Sequence, residues 1–361
     1  WDFHPRLIPL GICDEIFLWK RKKTHLGKIL VEYNLNDKLD VAEVSVNIKG
    51  EDITGQQIHW LLKDGAGKVV MEDHLIASED QLKVNFTLHQ PQLWWPHDHG
   101  NPHLYTLTLS LVTFGKEELE KVVKKIGFKK VCLVMNEGGW NEPSDFPKSR
   151  SIAPATIEIN GRKIFAKGTN WVNPDIFYGR ISRTTYLDLL TKAIKANYNI
   201  LRVWGGGPVN KSSFYQLCDE LGLMVWQDFP LACNDYMASN QYMQILKKEA
   251  AAIIKRLMHH VSLVIWCGGN ELFNNWSGMT DQSPAIRLLN SLTYRLTPDI
   301  PFLATSPLMG MGHGHYTFED ESTGEDVVTR MKKYSCSAYP EFGMPAPALE
   351  EVLKTIIPAD E

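Results

Sequence analysis

Several apolar runs in the second half of this sequence end in residues able to do chemistry. The run "LVIWCGGNE" passes from Leu263, Val264, Ile265 and Trp266 through Gly268-Gly269 to Asn270 and Glu271. "KIFAKGTNW" ends in Asn170 and Trp171, with Asp175 shortly after; "NILRVWGGG" carries Arg202 and Trp204; "LMVWQDF" carries Trp226 and Asp228; "YSCSAYPEFG" carries Glu341. A carboxyl group on the tip of a core strand belongs at the rim of a pocket. Two of them, Glu271 and Glu341, suit the cleavage of an acetal. One carboxylic acid protonates the departing oxygen and the other carboxylate sits below the anomeric carbon; at a separation of about 5–5.5 Å the second attacks directly and configuration is retained. Glu271 as the acid would need the higher pKa of the pair. Asn270 beside it offers an amide to a ring hydroxyl, a hydrogen bond that can strengthen in the transition state.

The elements that must position these residues follow from periodicity. Residues 25 to about 130 contain short, mostly alternating runs, "KILVEYNL", "AEVSVNIKG", "QIHWLLKD", "KVVMEDHLI", "QLKVNFTL" and "LYTLTLSLVTF", separated by turn signals such as Asp64-Gly65. That spacing predicts a β-sandwich. "MNEGGWNEPSDFPKSRS" is rich in Gly, Pro, Ser and charge and reads as a linker. Beyond it, apolar strands alternate with amphipathic stretches such as "TTYLDLLTKAIKANY" and "QYMQILKKEAAAIIKRLMHH". This is the rhythm of βαβ units and a parallel sheet. Seven such strands without a nucleotide fingerprint predict a (β/α)8 barrel, whose chemistry lies at the C-terminal strand ends. On that count Glu271 ends strand 4 and Glu341 strand 7, on opposite walls of one cavity. The stretch after the linker is short for such a barrel, typically ~250 residues, so an eighth strand and helix are expected to be missing.

Composition excludes several classes. The chain has 38 basic and 42 acidic residues in 361, a formal charge of −4, which leaves no footprint for nucleic acid or anionic membrane. No apolar run approaches the roughly 20 residues of a membrane span, and no signal peptide opens the sequence. The six cysteines lie far apart without a C-x-x-C pair, so most are expected to be buried thiols and neither zinc nor a disulfide scaffold is expected. N-x-S/T triplets at Asn85, Asn210 and Asn275 do not settle the compartment. Many of the 11 tryptophans sit beside polar residues at strand ends, as aromatic platforms for sugar rings do.

"LRVWGGG", "VWQDF", "IWCGGNE" and "YPEFG" together resemble the family 2 glycoside hydrolases, whose barrels carry carboxylates on strands 4 and 7. "RVWGGG" with "WCGGNE" is closer to the β-mannosidase branch than to the β-galactosidases and β-glucuronidases. "WDFHPRLIPLGI" resembles the segment closing that branch's N-terminal jelly roll, "PQLWWPHDHGNPHLYTLTLSL" its immunoglobulin-like domain, and "INGRKIFAKGTNWVNPD" its entry into the barrel. The resemblance implies a multidomain chain: the end of a sugar-binding jelly roll at 1–24, an immunoglobulin-like β-sandwich at 25–132, a linker at 133–154 and an incomplete (β/α)8 TIM barrel at 155–361. It implies a retaining exo-β-glycosidase acting on β-mannosides, without cofactor or metal. Glu271 would be the acid/base, Glu341 the nucleophile and Asn270 the ligand of the 2-hydroxyl. Arg202 would steady the nucleophile, while Trp171, Asp175 and Trp204 would shape the −1 subsite. The sequence departs from the family at Gly269, where an Asn is usual, and at Pro340, where a Ser is common. The alternatives are another family 2 activity, β-galactosidase or exo-β-glucosaminidase, and a non-catalytic carbohydrate-binding relative. The expected partner is a β-linked oligosaccharide or glycoside, with a homodimer as the oligomer considered; a periplasmic, secreted or lysosome-like compartment is expected ahead of the cytoplasm.

Other features have plainer readings. Gly205-Gly206-Gly207 lacks the residues of a phosphate cradle and reads as a sharp turn over the rim. His313 and His315, two apart on a strand, would share a face and line the pocket through hydrogen bonds, with Tyr316 joining them; a metal site would need further ligands. His259-His260 would end a helix and interact with its dipole. Trp94-Trp95 reads as interdomain or core packing, and Glu137, Glu142 and Glu350 as solvated charges.

Overall fold

A computed structural model describes residues 11–12, 14–115, 117–135, 155–334, 336–343 and 349–357. Residues 1–10 and 13 of the jelly-roll tail expected at 1–24, most of the linker at 133–154, and Glu137 and Glu142 with it, lie outside the described residues. The chain divides into two compact units. The first runs to Val134 and resumes over Thr156–Ser306; the second comprises the described residues of 307–361 with Met135 and Ala155.

The first unit begins with a β-sandwich: β1 (His25–Leu35), β2 (Val41–Glu51), β3 (Gln57–Lys63), β4 (Val69–Ile76), β5 (Gln81–His89), β6 (Tyr105–Val112) and β7 (Glu118–Ile126). They form a three-stranded sheet, β1-β2-β5, and a four-stranded sheet, β4-β3-β6-β7, all antiparallel. Alternation makes the core. In β2, Ala42, Val44, Val46 and Ile48 point inward; in β6, Tyr105, Leu107, Leu109 and Leu111 do. Strand β7, "ELEKVVKKI", is absent from the sequence expectation. It is an edge strand whose charged residues hide the apolar period and discourage pairing with other chains.

A small antiparallel sheet follows, made of β8 (Val131–Val134), β9 (Thr156–Ile159) and β10 (Arg162–Ile164), in the order β10-β9-β8. The β9–β10 hairpin turns through Asn160-Gly161, both at positive φ, which is the geometry Asn-Gly favours. Then come β11 (Gly168–Trp171), α1 (Arg183–Lys195), β12 (Ile200–Val203), α2 (Ser212–Leu221), β13 (Met224–Asp228), α3 (Asn240–Leu257), β14 (Leu263–Cys267), α4 (Pro284–Leu296) and β15 (Phe302–Leu303). Ser182 caps α1 by accepting from the Thr185 amide, Ser239 caps α3 through Tyr242, and α4 starts on Pro284. The five strands form one parallel sheet in chain order, and β12, β13 and β14 are buried throughout, as continuous apolar runs require.

The second unit contains β16 (Met311–His313), α5 (Val327–Met331), β17 (Ala338–Glu341) and α6 (Glu350–Ile356), with β16 and β17 paired in parallel. Six of the seven expected strands of 155–361 form, while of "HGHYTF" only His313 lies in a strand. Among the described residues the ladder runs from β11 to β15, where only two residues pair, and β16 pairs with β17 in a separate unit.

Within the first unit, sandwich and parallel sheet are locked together. Trp94, wholly buried, donates its indole N–H to the Asp219 carbonyl at 2.9 Å, and Asn160 donates to the Trp94 carbonyl at 3.0 Å. Trp95 lies under the Arg162 guanidinium, 4.6 Å from ring centre to Cζ. His260, expected to serve a helix dipole, is instead buried, its Nδ1 2.6 Å from Asp219 Oδ2, while the Ser262 amide takes Asp219 Oδ1. Of the five described cysteines only Cys218 and Cys267 are buried; Cys132 and Cys336 are exposed, contrary to the general expectation of buried thiols.

Lys129 closes this junction, its ammonium donating to the Leu263 carbonyl at 2.8 Å. Burial pulls its pKa down to about 8, against the opposing pull of Asp219 and Asp299. The unfolded chain, with an ordinary lysine near 10.4, binds more protons between these values, so this group makes stability rise with pH across that window by on the order of 3 kcal/mol. Urea midpoints of wild type and Lys129→Met at pH 7.5 and 9.5 test this. The wild type should gain on the variant at the higher pH; a pH-independent gap would show that the ammonium is not desolvated.

Candidate active site

Sheet register assembles the first cluster. Asn170, Arg202 and Trp226 are direct neighbours across β11, β12 and β13. Asp228 lies two residues beyond Trp226, on the same face of its strand. The Arg202 guanidinium forms a two-point pair with Asp228, Nη2 to Oδ2 at 2.7 Å and Nε to Oδ1 at 3.3 Å. The side chains are 5% and 0% exposed. Arg202 also donates to Asn170 Oδ1 at 3.1 Å and Asn270 Oδ1 at 2.9 Å. Asp228 takes two more donors, the Trp226 indole at 2.9 Å and the Gly205 amide at 3.1 Å. Burial raises the Asp228 carboxyl above its ordinary pKa, and Arg202 pulls it back.

Asp228 has a larger part than its sequence suggested, where it was only one polar strand end. The signal was available: an obligatory cation such as Arg202, inside a buried strand, needs an anion on a neighbouring strand. Gly205, the first glycine of the expected turn, approaches the next strand so closely that a Cβ there would lie 2.6 Å from the Leu231 carbonyl.

Glu271 follows β14 in the same unit. Bridges of Asn270 to Ala232 on one side and Ser306 on the other extend the sheet past the strand ends. The Glu271 amide donates to the Ser306 carbonyl at 2.7 Å, and the Ser277 hydroxyl donates to the Glu271 carbonyl at 2.6 Å. Glu271 adopts φ +52°, a conformation non-glycine residues rarely take. Gly269, the departure from the usual Asn, has φ +152°, and a Cβ there would stand 2.4 Å from the Leu231 carbonyl. The backbone path around the carboxylate is thus fixed by contact with the neighbouring strand.

Glu341 lies in the second unit, at the end of β17 and in register with His313 of β16. Its Oε2 accepts from the Tyr316 hydroxyl at 3.0 Å and lies 3.4 Å from His313 Nδ1. His315 does not share that face. Strand β16 ends at His313, Gly314 turns the chain at φ +81°, and His315 Nε2 meets the Tyr334 hydroxyl at 2.8 Å with the two rings stacked. The residue set aside as a plain pocket liner, His313, is the one beside the carboxylate.

The expected subsite residues divide. Trp171 is a core residue: it is 8% exposed, packs on Tyr186 and Phe214, and donates its indole N–H to Asn210. An apolar strand end facing the helices of a βα unit has no other place for an indole. Asp175 accepts from the Phe177 amide at 2.8 Å and pairs with Arg180, holding the turn before α1. Trp204 is buried at the end of β12, its ring against Gly206.

Residues 24–129 match the family model described as Glycosyl hydrolases family 2. The chain is 31% identical to β-mannosidase B of Thermothelomyces thermophilus over 271 residues, 75% of this chain and 30% of that protein. It is 32% identical to β-mannosidase B of Aspergillus niger over 273 residues, 75% of this chain and 31% of that protein. It therefore spans under a third of the length of these curated relatives. The crystal structure of β-D-mannosidase from Dictyoglomus thermophilum superposes with a TM-score of 0.77 at 30% identity, covering 94% of this chain and 42% of that one. A β-glucuronidase of Bacteroides uniformis, at 18% identity and TM-score 0.66, shares the fold.

Replacing Asp228 by Asn would leave Arg202 charged in a buried site with one weak acceptor in place of a carboxylate. Breaking one partner of such a pair costs about 3–5 kcal/mol. Chemical denaturation of Asp228→Asn should show a loss in that range, and a loss under about 1 kcal/mol would mean that the pair is solvated.

Proposed function

We propose, starting from a chain that belongs to glycosyl hydrolase family 2, that the protein is a retaining exo-β-glycosidase acting on terminal β-mannosides. The observation that supports this most is local: a carboxylic acid, Glu271, and an amide, Asn270, stand at the end of β14 beside a buried Arg–Asp pair. The surrounding sequence is similar to β-mannosidases over three quarters of the chain.

In this reading Glu341 is the nucleophile. Its carboxylate attacks the anomeric carbon while Glu271 gives its proton to the departing glycosidic oxygen. The glycosyl ester on Glu341 is then attacked by water, whose proton passes to Glu271, restoring both groups. The mechanism requires the carboxyl groups about 5–5.5 Å apart. The Tyr316 hydroxyl donates to Glu341 Oε2 and fixes the orientation of the carboxylate. Asn270 offers an amide N–H to the 2-hydroxyl, with Oδ1 held by Arg202 and the other N–H on the Cys233 sulfur. Arg202 steadies that amide, and its own charge is offset by Asp228.

The full-length protein tests the reading. Glu341→Gln and Glu271→Gln should each lower turnover of an aryl β-mannoside by at least about a hundredfold, and the first product seen by NMR should be β-mannose. Near-wild-type turnover in either variant would end the assignment. A panel of aryl β-mannoside, β-galactoside, β-glucuronide and β-glucosaminide tests the sugar; a preference for any but the mannoside would move the protein to another activity of the family.

A further inference from the structure

The segment after β13 stays paired to the end of β14. The Asn270 amide N–H donates to the Leu231 carbonyl and the Cys233 N–H to the Asn270 carbonyl, both at 2.9 Å. This brings Cys233 alongside Asn270 and Glu271. Its φ is +48°, so it shares with Glu271, at +52°, a left-handed conformation that each non-glycine residue adopts at a cost of order 1–3 kcal/mol. Two such residues on adjoining strand extensions are held there by the pairing around them, and their side chains meet. Cys233 Sγ lies 3.4 Å from Glu271 Oε2 and 3.3 Å from Asn270 Nδ2.

The chemistry of these contacts is directional. A thiol is a weak donor and its sulfur a weak acceptor. Here the S–H points to a carboxylate and the sulfur receives an amide N–H. Cys218, by contrast, is packed in the apolar core, and the buried Cys267 reaches the Gly269 carbonyl two residues away and sits beside Asp228 and Trp226. The result is a continuous chain of contacts from Asp228 through Arg202 and Asn270 to Cys233 and Glu271.

We infer that Cys233 is a positioning residue for the acid/base. Its thiol fixes the rotamer of the Glu271 carboxyl and, from the other side, the orientation of the Asn270 amide. The inference rests on the reading of Glu271 as the acid/base. A misplaced acid slows departure of a poor leaving group far more than of one that leaves without protonation. The thiol therefore acts on leaving-group dependence.

The test uses the full-length protein with phenyl β-mannoside and 2,4-dinitrophenyl β-mannoside, reading kcat/KM for Cys233→Ala, Cys233→Ser and Glu271→Gln. Cys233→Ala should lose about tenfold on the phenyl substrate, a fraction of the full general-acid contribution, and no more than about twofold on the dinitrophenyl one. Cys233→Ser, which restores a donor, should recover most of the phenyl loss. Equal losses on both substrates, or none, would overturn the inference while leaving Glu271 in place if Glu271→Gln still loses the phenyl substrate. Retention of that substrate by Glu271→Gln would overturn the acid/base reading itself, and this inference with it.

Discussion

The first unit's polar centre depends on one buried ion pair. Arg202 is charged at any pH a protein meets, and it sits in a strand buried along its whole length. Without an anion it could not be there, and Asp228 on the next strand supplies one through a two-point contact. What remains of the two groups' hydrogen-bonding capacity then sets their neighbours. Arg202 fixes the amide ends of Asn170 and Asn270; Asp228 fixes the Trp226 indole and the backbone at Gly205. Desolvating such a pair is expensive, and an apolar replacement would often be as stable. Its retention makes sense as orientation: four strands are tied together at the end where Glu271 emerges.

The opposite requirement holds where the sandwich meets the parallel sheet. There the polar groups serve attachment. Trp94 contributes a large apolar surface with one donor, which goes to Asp219. The Asp219 side chain takes His260 and the amide of Ser262, and Lys129 reaches the carbonyl that starts β14. Each contact leads to the segment just before β14, so the sandwich bears directly on the strand that carries Glu271. A β-sandwich placed ahead of a parallel sheet is in this case part of what holds that strand in register.

Much of this was legible in the sequence, because periodicity reports burial. The six alternating runs of the sandwich and six of the seven runs of the second half became strands, since each had a single face or a full core to fill. Strand β7 was hidden because an edge strand carries Lys and Glu where an inner one carries Val and Leu. Periodicity reports the strands themselves, whereas their pairing is set over distance, as in the two-residue ladder that ends at β15. The same limit applies to side chains. A Trp at a strand end can face a pocket or the helices, and Trp171 faces the helices. A His two residues from another shares its face only while the strand lasts, and β16 stops at His313.

Backbone strain identifies what the strand pattern could not. In an unremarkable βα unit the chain leaves the strand and turns toward its helix in common conformations. After β14 it passes through Gly269 at φ +152° and Glu271 at φ +52°, and opposite them Cys233 stands at φ +48°. Left-handed conformations in side-chain-bearing residues persist only where the surroundings enforce them. Here the enforcement is visible, in the backbone bonds linking Leu231 and Cys233 to Asn270 and Glu271 to Ser306. A Cβ on residue 269 would collide with the Leu231 carbonyl, so the departure from the usual Asn is itself a consequence of how closely these two strand ends approach. That closeness is also what brings a thiol within reach of the carboxylate. The substitution at 269 and the contact at 233 are therefore two results of a single constraint, the narrow gap between the ends of β13 and β14.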